Sequence, residues 1–252
     1  MTALRRLPML ALLSWAPVAS AVPPLVIGDV PTADRGTVEV YGGVERVKSG
    51  GVELAVPATE FVLGVSSRQE VTLEVPYLVV DGAHGLGDLV IGTKLQLLPE
   101  QPDRPGLAGS VEWKLANGAP AAGLGSGSME LGLLLRAQRT WGRGALIGNA
   151  GYTLVGDARV AGVSESRRNS GFLGVGGELA LRAGLAAVAD LYWRSADVAG
   201  EPARVAADLG LKLHVLDHLA VDGAVGTSLR PDSPGGPQLR VYVGLKGELS
   251  LF

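Results

Sequence analysis

Residues Met129–Trp141 read M-E-L-G-L-L-L-R-A-Q-R-T-W, and this stretch decides the fold. Every second residue from Met129 to Ala137 is apolar, whereas the residues between them are mostly polar or small. A two-residue period places alternate side chains on opposite faces of a β-strand. Ordinary strands contain about five or six residues, but strands that cross a membrane need about ten residues of this alternation. The stretch therefore predicts a membrane-spanning strand.

The same alternation recurs along the chain to its C-terminus. Further segments with this period begin near Asp88, Leu107, Leu185, Val205 and Leu239. A helical interpretation fails because glycine recurs through the segments and the period of 3.6 residues is absent. Counting the segments gives about 12 strands, an even number that is typical of bacterial outer-membrane barrels. The predicted fold class is therefore all-β, an antiparallel up-and-down transmembrane β-barrel.

The connections between the segments support the same architecture. Short turns such as 140–144 alternate with longer loops such as 117–128 and 156–170, which are rich in glycine, serine and charge. Barrels of this class have short turns at one end and long loops at the other. Pro57 and Pro76 fall within predicted strands, and proline cannot donate to the hydrogen-bond ladder. We therefore expect a bulge or a change of register at these two positions.

The N-terminus has the features of a secretory signal peptide. Arg5 and Arg6 precede an apolar stretch that ends at Val18, and Ala19-Ser20-Ala21 completes an A-x-A cleavage site. The apolar stretch is too short for a membrane-spanning helix. We predict a signal peptide at residues 1–21, an N-terminal periplasmic segment at 22–35 and the barrel at 36–252.

Composition agrees with an exported membrane barrel. The chain is 47% hydrophobic, has a mean hydropathy of +0.27 and contains no cysteine. An exported chain without disulfides needs another source of stability, and a closed sheet in lipid provides one because every backbone group is paired. Loss of Arg5 and Arg6 with the signal peptide changes the formal net charge from −3 to −5. This charge gives no support to nucleic-acid binding.

The polar members of each alternating segment are the candidate functional residues, because they would face the lumen of the barrel. They comprise ten acids and eight bases, so we expect the two signs to form ion pairs between strands. The acids are Glu39, Glu45, Asp88, Glu112, Glu130, Glu178, Asp190, Asp208, Asp222 and Glu248. The bases are Lys94, Lys114, Arg136, Arg194, Lys212, Arg230, Arg240 and Lys246.

One stretch also resembles a known family. Residues Gly85–Lys94 match the pattern G-x-G-D-x-x-x-G-x-K of the outer-membrane transporters named "MetA-pathway of phenol degradation". Residues 31–39 are similar to that family's early Asp/Gly/Glu segment, and Gly127-Ser128 resembles its entry to a mid-chain strand. The resemblance implies an outer-membrane barrel that passes small or aromatic compounds.

No segment predicts catalysis or a cofactor. The three histidines, His84, His214 and His218, match no metal or hydrolase spacing, and no serine lies in a G-x-S-x-G elbow. We therefore predict no catalytic residue, no metal and no cofactor. The expected partners are outer-membrane lipid, a small solute that the sequence does not identify, and the barrel-assembly machinery during biogenesis. No nucleic-acid partner is expected.

Three functions remain open at this point. The first is a narrow channel for small solutes. The second is a non-conducting structural or binding barrel whose charged network plugs the lumen, because about twelve strands lie between the filled eight-strand size and the open sixteen-strand size. The third is an outer-membrane hydrolase, which rests on analogy of fold alone.

Overall fold

The computed structural model describes most of the chain after residue 23. The described residues are 24–49, 51–80, 82–160, 163–165, 167–196, 201–230 and 239–251. The predicted signal peptide at residues 1–21 lies outside them.

Antiparallel strands make up almost all of the described residues. The strands are β1 (Thr37–Ser49), β2 (Gly51–Ser66), β3 (Gln69–Val80), β4 (Ala83–Leu86), β5 (Val90–Leu98), β6 (Gly106–Lys114), β7 (Glu130–Trp141), β8 (Gly144–Val155), β9 (Ala158–Val160), β10 (Val163–Glu165), β11 (Ser170–Arg182), β12 (Leu185–Arg194), β13 (Arg204–Leu216), β14 (Leu219–Ser228) and β15 (Leu239–Ser250). A 3-10 helix at Pro120–Ala122 is the one helix in the described part of the chain. No helix there is long and apolar enough to cross a membrane.

Twelve of these strands form a closed barrel. Each pairs antiparallel with the next barrel strand along the chain, and β15 pairs with β1, from Thr37↔Ser250 to Lys48↔Leu239, which closes the ring. The short strand β4 pairs with the last residues of β3, which β5 does not reach. Strand β9 pairs with β10 in the connection between β8 and β11. The structure therefore confirms the predicted antiparallel barrel of 12 strands.

Both prolines in the predicted strands mark irregularities. The ladder between β2 and β3 passes from Ala55↔Leu78 to Ala58↔Pro76 and so skips Pro57. Strand β3 pairs with β5 before Pro76 and with β4 after it. The predicted disruptions are confirmed at both positions, because a residue without an N–H group cannot continue a regular ladder.

The two faces of each strand differ in polarity, as the alternation predicts. On β7, Leu133 and Leu135 point outward with 45% and 51% of their surface exposed, whereas Glu130 and Arg136 are each only 1% exposed. The same division continues around the barrel. A closed sheet with an apolar outer wall and a charged inner wall is the arrangement of a barrel that spans a lipid bilayer.

The two rims of the barrel are unequal. One rim carries tight connections such as Thr140–Gly144 and is called the short-turn rim. The other carries the connections after β6, β8, β12 and β14 and is called the long-loop rim. Exposed aromatic side chains lie toward both rims, with Trp141 at the short-turn rim and Trp113 and Trp193 near the long-loop rim.

Candidate functional site: the barrel lumen

The inner wall carries most of the side chains that the sequence assigned to the lumen. They alternate with the exposed apolar residues along each strand, and most are buried. The residues on this face are Lys94, Glu112, Lys114, Glu130, Arg136, Glu178, Asp190, Arg194, Asp208, Lys212, Asp222, Lys246 and Glu248.

A buried ion-pair cluster lies near the long-loop rim. Glu130 accepts hydrogen bonds from Lys114, its cross-strand neighbour, and from Arg167 Nη1 at 2.7 Å. Arg167 Nη1 also donates to Ser128 Oγ at 2.8 Å. The side chains of Lys114, Glu130 and Arg167 are at most 3% exposed. Because Arg167 follows β10, this cluster attaches a long loop to the inside of the barrel mouth.

Lys94 and Arg240 form further buried ion pairs elsewhere on the wall. Lys94 Nζ is 3.0 Å from Glu70 Oε1, and the two residues are direct cross-strand partners on β5 and β3. Arg240 on β15 pairs with Glu45 on β1 and lies 3.2 Å from Asp208 Oδ1 on β13. Each pair has mostly lost contact with water, so each charge depends on its partner.

The ion pairs toward the short-turn rim are more exposed. Lys246 lies between Glu39 and Glu248, with its Nζ 3.0 Å from Glu39 Oε1 and 2.7 Å from Glu248 Oε1. Lys212 Nζ is 3.2 Å from Glu178 Oε2, and the Glu178 side chain is 41% exposed. These pairs contribute less to stability because water screens them.

The chain segment before β1 lies inside the barrel. We call residues 24–34 the lumen segment. Leu25, Val26, Ile27 and Val30 within it are buried, and the chain leaves the lumen where Gly36 N–H donates to the Gly64 carbonyl at 2.8 Å. We predicted a periplasmic segment at residues 22–35, and the structure places residues 24–34 of it in the lumen. The physical reason is the run of apolar side chains, which finds an apolar surface on the inner wall.

Polar side chains of the wall bind the backbone of the lumen segment. Asp190 Oδ2 accepts the N–H groups of Val26 at 2.8 Å and Ile27 at 3.2 Å. The Asn149 side chain accepts the Gly28 N–H at 2.8 Å and donates its own amide to the Gly28 carbonyl, also at 2.8 Å. A side-chain amide therefore pairs with both backbone groups of one residue, as a neighbouring strand would.

Four more wall side chains hold the segment along its length. The contacts are Arg240 Nη1 to the Pro24 carbonyl at 2.9 Å, Lys94 Nζ to Asp29 Oδ1 at 3.3 Å, Val30 N–H to Gln138 Oε1 at 3.2 Å and Ala33 N–H to Glu70 Oε2 at 2.7 Å. The segment thus crosses the lumen from β3 to β15.

An apolar surface on the wall receives the side chains of the segment. Leu25, Val26 and Ile27 pack in one buried cluster with wall residues of β7, β8, β11 and β12. The wall residues are Leu134, Ile147, Phe172 and Val188, with Tyr192 beside them. This surface lies beside charged positions of the same inner wall.

Several residues that build this site were not identified from the sequence. Asn149, Gln138 and Glu70 occupy inner-face positions of their strands, so parity along each strand is a signal that includes them. Arg167 lies in a long connection without periodicity, and the sequence holds no signal that brings it to Glu130. Gly174 and Gly176, where an added Cβ atom would meet Ile27, are recognisable only once the path of the lumen segment is known.

Asp88 has a different role from the predicted one. It lies between β4 and β5, where its carboxylate accepts the Gly118 N–H at 2.9 Å, the Ser126 N–H at 2.7 Å and the Ser126 hydroxyl at 2.8 Å. It therefore organises the 117–128 loop at the long-loop rim. Arg230 lies beyond the end of β14 and is exposed.

The histidines do not form a common site. His84 belongs to β4 at the long-loop rim, with its ring centroid 6.4 Å from that of Tyr77. His214 lies near the end of β13 at the short-turn rim. Within the described ranges, no group of three or more His, Asp or Glu side chains is placed to hold a metal ion.

Comparison with known proteins gives a likeness of fold. No protein-family profile matches the chain, and a search of curated proteins finds no relative. Among solved structures, an outer-membrane channel from Pseudomonas putida F1 is similar, with a TM-score of 0.73, 11% identity and coverage of 88% of this chain and 99% of that chain. The NanC porin is similar with a TM-score of 0.59, 11% identity and coverage of 84% and 100%. The KdgM porin has a TM-score of 0.53, 10% identity and coverage of 82% and 98%.

Proposed function

We propose that the protein is a narrow channel for small solutes in the outer membrane of a Gram-negative bacterium. The apolar outer wall fits a lipid environment, and the charged inner wall fits a path for water and polar solutes. Three of the solved structures to which the barrel is similar are an outer-membrane channel and two porins. The predicted signal peptide supports export to that membrane.

The direction of the ion pairs is the observation that carries this proposal. Lys94–Glu70, Lys114–Glu130 and Arg240–Glu45 join adjacent strands, and Arg240–Asp208 and Lys212–Glu178 join strands two apart. Such pairs lie along the wall instead of bridging the lumen. The charged network therefore lines a path, and the lumen segment is what fills it. This favours a channel over a barrel that is plugged by its own ion pairs.

The apolar surface around Phe172 bears on the class of solute. It places Leu134, Ile147, Val188 and Tyr192 next to charged positions of the same wall. A solute with an aromatic or hydrophobic part would contact this surface once the lumen segment moves aside. The proposed cargo is therefore small solutes, including aromatic or hydrophobic compounds.

Conductance across a planar bilayer tests the channel. The purified, folded protein is expected to give discrete current steps in symmetric salt, and an eight-stranded barrel without a pore serves as the negative control. Silence at high protein load, both for this protein and for variants that free the lumen segment, would exclude a channel.

The alternative is a non-conducting barrel that presents its long loops as a binding surface. The observation in its favour is that the lumen segment crosses the interior and is itself buried. This alternative predicts a sealed lumen in every variant and retained folding after the loops near residues 117–128 are shortened. We propose no catalytic role, because His84 and His214 lie at opposite rims.

A further inference from the structure

We propose that the inner wall of β7, β8, β11 and β12 is a binding site for an apolar peptide segment, which the chain's own residues 24–34 occupy as a removable plug. The inference rests on the proposed channel, whose path the segment obstructs. Three features of the wall support it: the shape of the wall, the direction of its hydrogen bonds, and the independence of the barrel from the segment.

The shape of the wall depends on glycines that face the segment. A Cβ atom added at Gly174 would lie 2.6 Å from Ile27 Cγ2, and one at Gly176 would lie 2.4 Å from Ile27 Cδ1. A Cβ at Gly64 would lie 2.0 Å from the Asp34 carbonyl oxygen, and one at Gly106 would lie 3.0 Å from Val30 Cγ1. At Gly64 and Gly174 a larger side chain would displace the segment. At Gly176 it would also meet the Ala189 carbonyl oxygen of the wall at 2.5 Å, and at Gly106 a shift of a few tenths of an ångström would make room for it. The inner wall is therefore complementary in shape to this particular occupant.

The hydrogen bonds from the wall are directed at peptide groups. Asp190 accepts two successive N–H groups, and Asn149 pairs with the N–H and the carbonyl of Gly28. Asp190 Oδ2 accepts from two successive residues of a bent backbone, so these bonds select that bend, whereas the Ile27 contact selects an apolar side chain at one position. The main-chain bonds supply affinity and the apolar contact supplies specificity, a division that also occurs in other modes of peptide recognition.

The barrel does not depend on the segment for its closure. Residues 24–34 form no strand and take no part in the ladder, which runs from β1 to β15 without them. The wall pairs Lys114–Glu130 and Lys212–Glu178 contain no atom of the segment. Release of the segment would therefore leave a closed wall around an emptier lumen. The polar groups that hold it would gain water in place of the peptide.

A disulfide between the lumen segment and the wall, called the lock, tests whether the segment blocks the channel. The pair Val30→Cys and Gly106→Cys is suitable because Val30 Cγ1 lies 3.0 Å from the position of a Cβ at Gly106. With an S–S bond of about 2.04 Å, a disulfide places one Cβ about 3 Å from the partner's sulfur. The chain has no other cysteine, so the bond is unambiguous. We expect the oxidised protein to show no openings and the same membrane to show openings after a reductant is added. Equal current before and after reduction would overturn the plug.

A second variant displaces the segment without a disulfide. At Gly174 the added methyl group would meet side-chain atoms of Ile27 and Phe172. Overpacking of this kind costs about 1–3 kcal/mol, so Gly174→Ala should raise the open probability roughly tenfold or more. In an Ile27→Ala background the same substitution should have a smaller effect, because the clash with Ile27 is gone and only the 3.2 Å approach to Phe172 Cζ remains. Gly148→Ala on the outer face of β8, where a Cβ meets nothing within 4 Å, is the matched control.

Addition of the free peptide tests the binding site itself. The probe is a synthetic PLVIGDVPTAD, which corresponds to residues 24–34, applied to the channel that carries Ile27→Asp, whose own segment is weakened and whose wall keeps Gly174. We expect dose-dependent closure, and none with a peptide that has aspartate at the Ile27 position. Equal block by both peptides would contradict a specific site.

The outcomes separate the two proposals. If neither the original protein nor the released variants conduct, the channel is refuted. If the original protein conducts and the lock leaves its current unchanged, the channel stands and the plug is refuted. Folding of each variant is checked by heat-dependent mobility on a gel, so that loss of current is not confused with loss of the barrel.

Discussion

The inner wall of the barrel has two parts that are built in different ways. At β6 and β7 the charges of the wall pair with each other, since Lys114 and Glu130 face each other across the strands and their side chains are at most 3% exposed. At β8, β11 and β12 the wall presents the apolar side chains Ile147, Phe172 and Val188 to the lumen segment, and its polar groups Asn149 and Asp190 bind the backbone of that segment. In the first part the charged groups find their partners in the wall and in the loop that carries Arg167. In the second part the polar groups find theirs in the lumen segment.

This difference separates what holds the barrel together from what can move inside it. Removal of one member of a buried ion pair leaves a charge without compensation in a place that water does not reach. Removal of the segment instead exposes polar groups and an apolar surface to a lumen that can fill with water. We therefore expect mutations in the first part to affect stability and mutations in the second part to affect opening.

The largest effect is expected at Glu130. Substitution Glu130→Gln leaves Lys114 and Arg167 buried against a neutral amide, and should destabilise the barrel by about 3–5 kcal/mol. The urea concentration at the midpoint of unfolding, followed by tryptophan fluorescence in liposomes, measures the change. The double variant with Lys114→Met should recover part of the loss, because one uncompensated cation is removed. An unchanged midpoint would mean that this part of the wall does not depend on its charges.

A smaller effect, on opening, is expected at Asn149. Substitution Asn149→Asp keeps an acceptor for the Gly28 N–H but places a carboxylate oxygen against the Gly28 carbonyl. The loss of a buried hydrogen bond costs about 1–3 kcal/mol, so the segment should be released more often. The readout is the rate at which a maleimide labels Val30→Cys, a position only 1% exposed. We expect a rise of roughly tenfold with little change in the unfolding midpoint. A shift in the midpoint without faster labelling would erase the distinction between the two parts.

The smallest effect is expected at Lys212. Its pair with Glu178 lies toward the short-turn rim, where the two side chains are 21% and 41% exposed. Exposed pairs contribute about 0–1 kcal/mol, so Lys212→Met should change stability by no more than that, and less at high salt. The same urea titration checks it. A loss of stability as large as that of Glu130→Gln would show that the burial of an ion pair does not determine how much it contributes to stability.

The path of the lumen segment shows the limit of periodicity. Residues 24–34 contain no alternation, and their run of apolar side chains is compatible with a linker, a strand or a plug. Asp88 shows a second limit, because its parity along the predicted strand matched the lumen while its true neighbours come from the 117–128 loop. In both cases the deciding contacts join residues that are distant in the chain and have no periodic relation.

The sequence by itself determined the barrel, its strand number and the faces of its strands. Alternation such as that of Met129–Trp141 is a local property, because the geometry of an extended chain sends successive side chains to opposite sides. Only the tertiary structure decided what occupies the interior. Asp190, Asn149 and Arg240 come from strands far apart in the chain, and they converge on one peptide segment only after the sheet has closed. The two faces of the wall follow from the local geometry of each strand, whereas the position of residues 24–34 in the lumen follows from closure of the sheet.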